Sequence, residues 1–161
     1  ANSIYAYGKR CFMERCKRVE IDSIIVPDLP YEEKDEMAAD CEAFGIDIIS
    51  IITLTSKERV TMIAKEATGF IYCVSSLGAT GVREKIRTDT DGMVVHVCRT
   101  SKIPVAVGGG ISTPEQAVTM AFVSDGAIVG SAIVKLIAEY GRKSKEPVAA
   151  YVKKMKDALR D

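Results

Sequence analysis

The sequence predicts an α/β fold: a (β/α)8 barrel, of which residues 1–161 hold strands 4–8 as an incomplete barrel in one domain. Three observations predict it. The run Val105-Ala-Val-Gly108-Gly109-Gly110-Ile111-Ser112-Thr113-Pro114-Glu115-Gln116 reads as a short buried strand, a glycine turn and a helix start. A second run of the same kind, Ala127-Ile-Val-Gly130-Ser131-Ala-Ile-Val-Lys135, follows it. Glycine lets a backbone approach a ligand closely, and a helix N-terminus offers free N–H groups to an anion. Two such loops in tandem, after strands 7 and 8, form the usual phosphate site of a (β/α)8 barrel. The third observation is strand–helix alternation throughout, which argues for a parallel sheet with right-handed crossovers. Counted backwards from strand 8, the strand candidates number five, and the chain opens on Ala1-Asn2 rather than methionine. A fragment is therefore expected. A complete five-stranded doubly wound domain is the alternative.

The elements follow in order. The chain enters a helical pattern almost at once, and residues 8–19 look helical. Residues 23–26 form a short apolar strand, stopped by Pro27-Asp28-Leu29-Pro30. A helix over 32–44 carries Met37, Ala38, Cys41 and Phe44 at helical spacing, and Gly45 supplies a left-handed stop. Residues 46–52 are nearly all apolar, as a strand covered on both faces should be, and 47–52 is its strand core. A helix over 57–67 buries Val60, Ile63, Ala64 and Ala67, and Gly69 ends it. Residues 70–74 are the next strand, and Met93, Val94, Val97 and Cys98 mark another helix. Strands at 105–107 and 127–129 precede the two glycine loops. Thr113-Pro114-Glu115-Gln116 is a helix start with threonine as N-cap, proline at the first position and glutamine closing a capping box. Residues 147–160 form a final amphipathic helix.

One connection breaks the rhythm. Residues 75–89 lack apolar periodicity and carry Gly78 and Gly81 around Thr80. A long loop at the C-terminal end of a barrel strand is the place for an active-site lid; a solvated surface loop is the plainer alternative. Composition sets bounds. The chain is 47% hydrophobic with zero net charge and lacks a long basic run, which gives a nucleic-acid role no support. Its longest apolar stretch is far short of a membrane span. Five cysteines, Cys11, Cys16, Cys41, Cys73 and Cys98, are odd in number and scattered. They suit reduced thiols in a cytoplasmic compartment. With one histidine and no Cys-x-x-Cys pair, no metal site is expected.

Four stretches resemble the tryptophan synthase alpha subunit family. They are Val26-Pro27-Asp28-Leu29-Pro30-Tyr31-Glu32-Glu33, Tyr72-Cys-Val-Ser-Ser-Leu-Gly78-Ala-Thr80-Gly81, Gly108-Gly-Gly110-Ile-Ser112-Thr-Pro114-Glu-Gln116 and Gly130-Ser131-Ala-Ile-Val-Lys135. The resemblance runs over essentially the whole chain in order. It implies a lyase that cleaves indole-3-glycerol phosphate to indole and glyceraldehyde 3-phosphate, with no cofactor in this subunit. It also implies a beta-subunit partner that carries pyridoxal phosphate and receives the indole. The family's two key carboxylates, a glutamate on strand 2 and an aspartate in the loop after it, match no residue of this chain. A different phosphate-binding barrel isomerase, or a phosphate-binding fragment without turnover, are the rival readings.

By the same resemblance, Tyr72 helps position the substrate, and Thr80 orients the catalytic aspartate when the lid closes. Gly81 lies beside the phosphate, and Gly109, Gly110, Gly130 and Ser131 form the phosphate site. Ile25 and Ile51 wall the indole pocket. Each has a plainer reading: Tyr72 as a half-buried strand aromatic, the isoleucines as core, the glycines as tight turns. Gly109 stands where some members carry a bulky residue, and Thr53 where many carry proline. Asp28 suits an Asx turn or the interface with the beta subunit. His96 is expected to face solvent, and Glu32, Glu33, Asp35 and Glu36 to complement a helix dipole.

Overall fold

Short apolar runs between amphipathic helices leave the strands no partner but one another, and the helices then cover the sheet. A computed structural model describes residues 1–75 and 84–160. Helices α1 (Asn2–Tyr7) and α2 (Lys9–Arg18) precede β1 (Ser23–Ile24). A 3₁₀ turn (Tyr31–Glu33) leads into α3 (Asp35–Phe44), followed by β2 (Asp47–Ile48), β3 (Ser50–Ile52), α4 (Lys57–Glu66), β4 (Ile71–Val74) and α5 (Glu84–Thr100). Then come β5 (Val105–Gly108), α6 (Pro114–Ala121), β6 (Gly126–Ile128), α7 (Ser131–Tyr140), a 3₁₀ turn (Gly141–Lys143) and α8 (Lys145–Asp157).

All pairings among these strands are parallel. β1 pairs with β2, and a four-stranded sheet runs β3-β4-β5-β6. The order is sequential, without the reversal a doubly wound sheet requires. This is the arrangement of consecutive units of a barrel that the described strands do not close. The apolar run 47–52 serves two neighbours. Its first half pairs with β1, the Ile49 N–H still donates to the Ile24 carbonyl at 2.9 Å, and the second half pairs with β4. A run without alternation carries no signal for such a break, so the single expected strand is two.

Side-chain alternation decides which face of the sheet is covered. Ile52, Ile71, Cys73, Val105 and Val107 are buried under α4, α5 and α6, with Val60, Val94, Val97 and Ala117 opposite them. Each such aliphatic side chain contributes about 1.5–3 kcal/mol on burial. A second cluster, Met13, Cys16, Met37, Cys41 and Ile48, holds α2 and α3 over β1 and β2. The other face of the β3–β6 sheet carries Ile51, Tyr72 and Ala106, none fully buried. Ser56 caps α4 by accepting the Arg59 N–H at 3.3 Å, and Gly45 stops α3 in the left-handed region at φ 65°.

Two expectations change here. Residues 84–90 belong to α5, not to a loop; their run of charged and hydroxyl residues hid the helix that continues to Thr100. The rest of the proposed lid, with Gly78, Thr80 and Gly81, lies outside the described residues. His96 does not simply face solvent: its Nε2 hydrogen-bonds Thr61 Oγ1 at 2.8 Å, tying α5 to α4. The five cysteines are free thiols, with Cys16, Cys41 and Cys73 buried. Among the described residues no helix is long and apolar enough to cross a membrane.

Candidate functional site

The two glycine loops leave the same end of the sheet. Gly108 pairs in register with Ile128, so Gly110 and Gly130 each stand two residues beyond that pair on adjacent strands. The residue types explain the turns. Gly109 has φ 108° and Gly110 φ 77°, where a side chain is strained. A Cβ on Gly109 would also lie 2.7 Å from the Ser75 carbonyl oxygen. A bulky side chain at 109 therefore does not fit this backbone.

Beyond Gly110 the chain is closed by its own side chains. Gln116 Oε1 accepts the N–H groups of Ser112 (2.8 Å) and Thr113 (3.1 Å) and the Ser112 hydroxyl (3.1 Å). Thr113 Oγ1 accepts the Gln116 N–H at 3.3 Å. This is the expected capping box, and it occupies donors an anion would use. Tyr151 on α8 donates to the Ser112 carbonyl at 2.9 Å and fixes the loop from outside.

The β6–α7 junction differs. Gly130, the N-cap of α7, has no side chain to offer, and among the described residues no side-chain hydrogen bond caps the helix. Gly130 and Ser131 are exposed, and a Cβ on Gly130 would meet nothing within 4 Å. Among the described residues, α7 thus starts at an exposed glycine, two residues beyond the strand pair that Gly110 also follows. A helix N-terminus in that state suits an anion.

Tyr72 stands on the open face, in register with Ile51 on one side and Ala106 on the other. Its ring crosses Gly108: a Cβ there would lie 2.6 Å from the phenolic oxygen and 2.6 Å from a ring carbon. Gly108 is therefore the clearance that lets the tyrosine reach toward the loop end of the sheet. Ile25 follows β1 and is 44% exposed, separated from Tyr72 by the strand that carries Ile51. A cleft of about 310 Å3 opens at the ends of β1 and β3, lined by Pro27, Pro30, Tyr31, Ile51, Thr53 and Arg59 among others. It reaches Ile51 but neither glycine loop.

A family model for the tryptophan synthase alpha chain matches residues 1–160. The chain belongs to the tryptophan synthase alpha chain family. It is 42% identical over 158 residues to the alpha chain of Lacticaseibacillus casei, covering 98% of this chain and 59% of that one. A tryptophan synthase subunit alpha from Campylobacter jejuni superposes with a TM-score of 0.79 at 33% identity, covering 98% of this chain and 60% of that structure. A chain from the tryptophan synthase α2β2 complex of Pyrococcus furiosus gives 0.87 at 34% identity, covering 97% and 64%. The chain thus spans about three fifths of the length of these alpha-chain relatives.

Within this alpha-family frame the structure adds residues that sequence reasoning missed. Gly108 was legible only as one of three glycines, and Ser75 only as a loop residue. Glu32 and Glu33 lie in the 3₁₀ turn before α3 rather than in the helix, and this acidic stretch does more than complement a dipole. Glu32 forms a two-point pair with Arg59 on α4, with Nη2 to Oε2 at 3.0 Å, and the guanidinium holds its carboxyl below the usual range. Tyr31 donates to the Glu66 carboxylate, which pushes the phenol up to about 12. No local spacing signals these links between segments far apart in sequence. Asp28 is exposed and forms no Asx turn. The residue two on is Pro30, which has no N–H, and the turn closes through the Leu29 N–H and the Val26 carbonyl at 3.1 Å.

Proposed function

We propose that this chain carries the phosphate grip and part of the indole pocket of an enzyme cleaving indole-3-glycerol phosphate to indole and glyceraldehyde 3-phosphate. The observation that carries the reading is that α7 starts at an exposed glycine N-cap, uncapped among the described residues, while Gly110 and Gly130 each stand two residues beyond one aligned strand pair. Hydrogen bonds to a charged group contribute about 1.5–3 kcal/mol each, more than the 0.3–1 kcal/mol typical of a helix dipole. Affinity on this reading rests on specific donors: the Gly110 N–H, the first N–H groups of α7 and the Ser131 hydroxyl.

The reaction is a retro-aldol cleavage. A general acid protonates the indole ring carbon that bears the side chain. A base takes the proton of the neighbouring glycerol hydroxyl, the carbon–carbon bond breaks, and the oxygen becomes the aldehyde carbonyl. Tyr72 and Ile51, side by side on the open face, orient the indole, and Ile25 extends the apolar wall. Thr80 and Gly81 complete the pocket from the segment after Ser75. The acid and base match no residue of this chain. The subunit needs no cofactor of its own. Its partner is a beta subunit holding pyridoxal phosphate, met through the strand-end loops that include Asp28, in a cytoplasmic setting. The assembly of the Pyrococcus furiosus relative supports that partnership.

The test combines binding and turnover. Residues 1–161 should bind glycerol 3-phosphate yet release no indole from indole-3-glycerol phosphate, because each positioned acid or base contributes roughly 10²–10⁴-fold. Indole release should appear when a second polypeptide supplies the family's glutamate and aspartate. Turnover by the chain alone would favour a different phosphate-binding barrel enzyme. Binding with no turnover after complementation would leave a phosphate-binding module.

A further inference from the structure

Ser75 is the buried polar residue at the end of β4, only 7% exposed, and the mechanism above does not use it. Its N–H donates to the Gly108 carbonyl at 2.7 Å, and its Oγ donates to the Gly109 carbonyl at 2.8 Å. Two successive carbonyls therefore turn toward the same residue. A regular strand alternates them, so the chain must twist between them, and Gly109 does so at φ 108°.

The consequence lies on the other side of the peptide plane. The Gly109–Gly110 peptide is trans, as none of the described peptides is cis, so the Gly110 N–H points opposite to the Gly109 carbonyl. β4 flanks β5 on one side and β6 on the other. A carbonyl drawn toward Ser75 thus aims the Gly110 N–H to the side of β6, where Gly130 stands at the matching position and α7 is uncapped. We propose that Ser75 is a positioning residue: its hydroxyl sets the rotation of the Gly109–Gly110 peptide and so aims the Gly110 N–H at the anion held by α7. Between two glycines little else resists that rotation. The proposal rests on the phosphate reading of this junction, which it deepens.

The test uses the 161-residue chain at low micromolar concentration, hydrogen–deuterium exchange read by mass, and glycerol 3-phosphate as probe. Ser75→Ala should raise exchange of the amides at 109–112 about fivefold. It should leave those at 105–107 in place, lower the thermal midpoint by no more than about 2–4 °C, and weaken glycerol 3-phosphate roughly five- to tenfold, as expected for one lost hydrogen bond. Ser75→Cys keeps the shape with a weak donor and should fall between; it carries the test if the alanine variant fails to fold. Unchanged exchange at 109–112, or raised exchange with unchanged affinity, would overturn the proposal. An unmutated chain that does not bind glycerol 3-phosphate would overturn the phosphate reading itself, and the role of Ser75 with it. Only the variants discriminate against Ser75 alone.

Discussion

The β5–α6 and β6–α7 junctions look alike in sequence, each a short apolar strand, a glycine turn and a helix start, yet they end in opposite states. At α6 the Thr113–Gln116 capping box uses the local donors internally. At α7 the N-cap is a glycine, which brings no side-chain acceptor of its own. A glycine-to-helix junction is thus not by itself an anion site. What decides is whether the helix brings its own acceptor, and Gln116 is that acceptor. On this comparison the first loop offers one aimed peptide N–H, and the second offers a helix end.

The largest effect expected from the comparison is at Gly130. Gly130→Val places a branched side chain in open space, so folding should be spared while at least two charge-assisted hydrogen bonds are lost. Glycerol 3-phosphate affinity, by calorimetric titration, should fall by more than about 100-fold with little change in thermal midpoint. Gly109→Ala should do the reverse. Its positive φ and the 2.7 Å approach to Ser75 should cost about 2–3 kcal/mol, read by urea unfolding. If the two variants exchanged these signatures, the assignment of open and closed junctions would be inverted.

Smaller effects sharpen the contrast. Ser131→Ala removes a hydroxyl from the open junction and should weaken the same ligand about tenfold. These titrations belong near pH 7–8. Burial raises the Cys73 thiol to about 12, from 9.0. Its folded value exceeds the unfolded one, so the stability it contributes is intact below pH 9 and is lost as pH rises toward 12. Urea unfolding at pH 10 should show about 1 kcal/mol less stability from this residue than at pH 8, and Cys73→Val should reduce that slope. The smallest change is Thr113→Ala, which breaks the capping box for about 1 kcal/mol, or roughly 2–4 °C in Tm, with ligand affinity unchanged. A loss of affinity there would show that α6 takes part in binding.

How much of this was legible follows from where each signal resides. The Thr113 capping box is local, and its spacing alone defined the start of α6. The strands were readable because apolar runs bounded by glycine and proline have few alternatives. The break at Ile49 was not, since the isoleucines that flank it are suited to burial on either face. The N-terminal turns of α5 were hidden because Glu84, Lys85, Arg87, Asp89 and Asp91 present no apolar stripe. In the site, the glycines stood out as residue types. Their division of labour did not, because it depends on Ser75 and Gln116, and Ser75 acts across strands.

Gly108 and Tyr72 have a consequence for how such a chain can diverge. The missing side chain on one strand is a vacancy shaped for the ring on its neighbour. Neither position can drift alone. A methyl at 108 is accepted only beside a smaller residue at 72, and a smaller residue at 72 leaves the vacancy empty. The two positions are expected to vary together, and a library randomising both should return the tyrosine–glycine pair far more often than either residue apart.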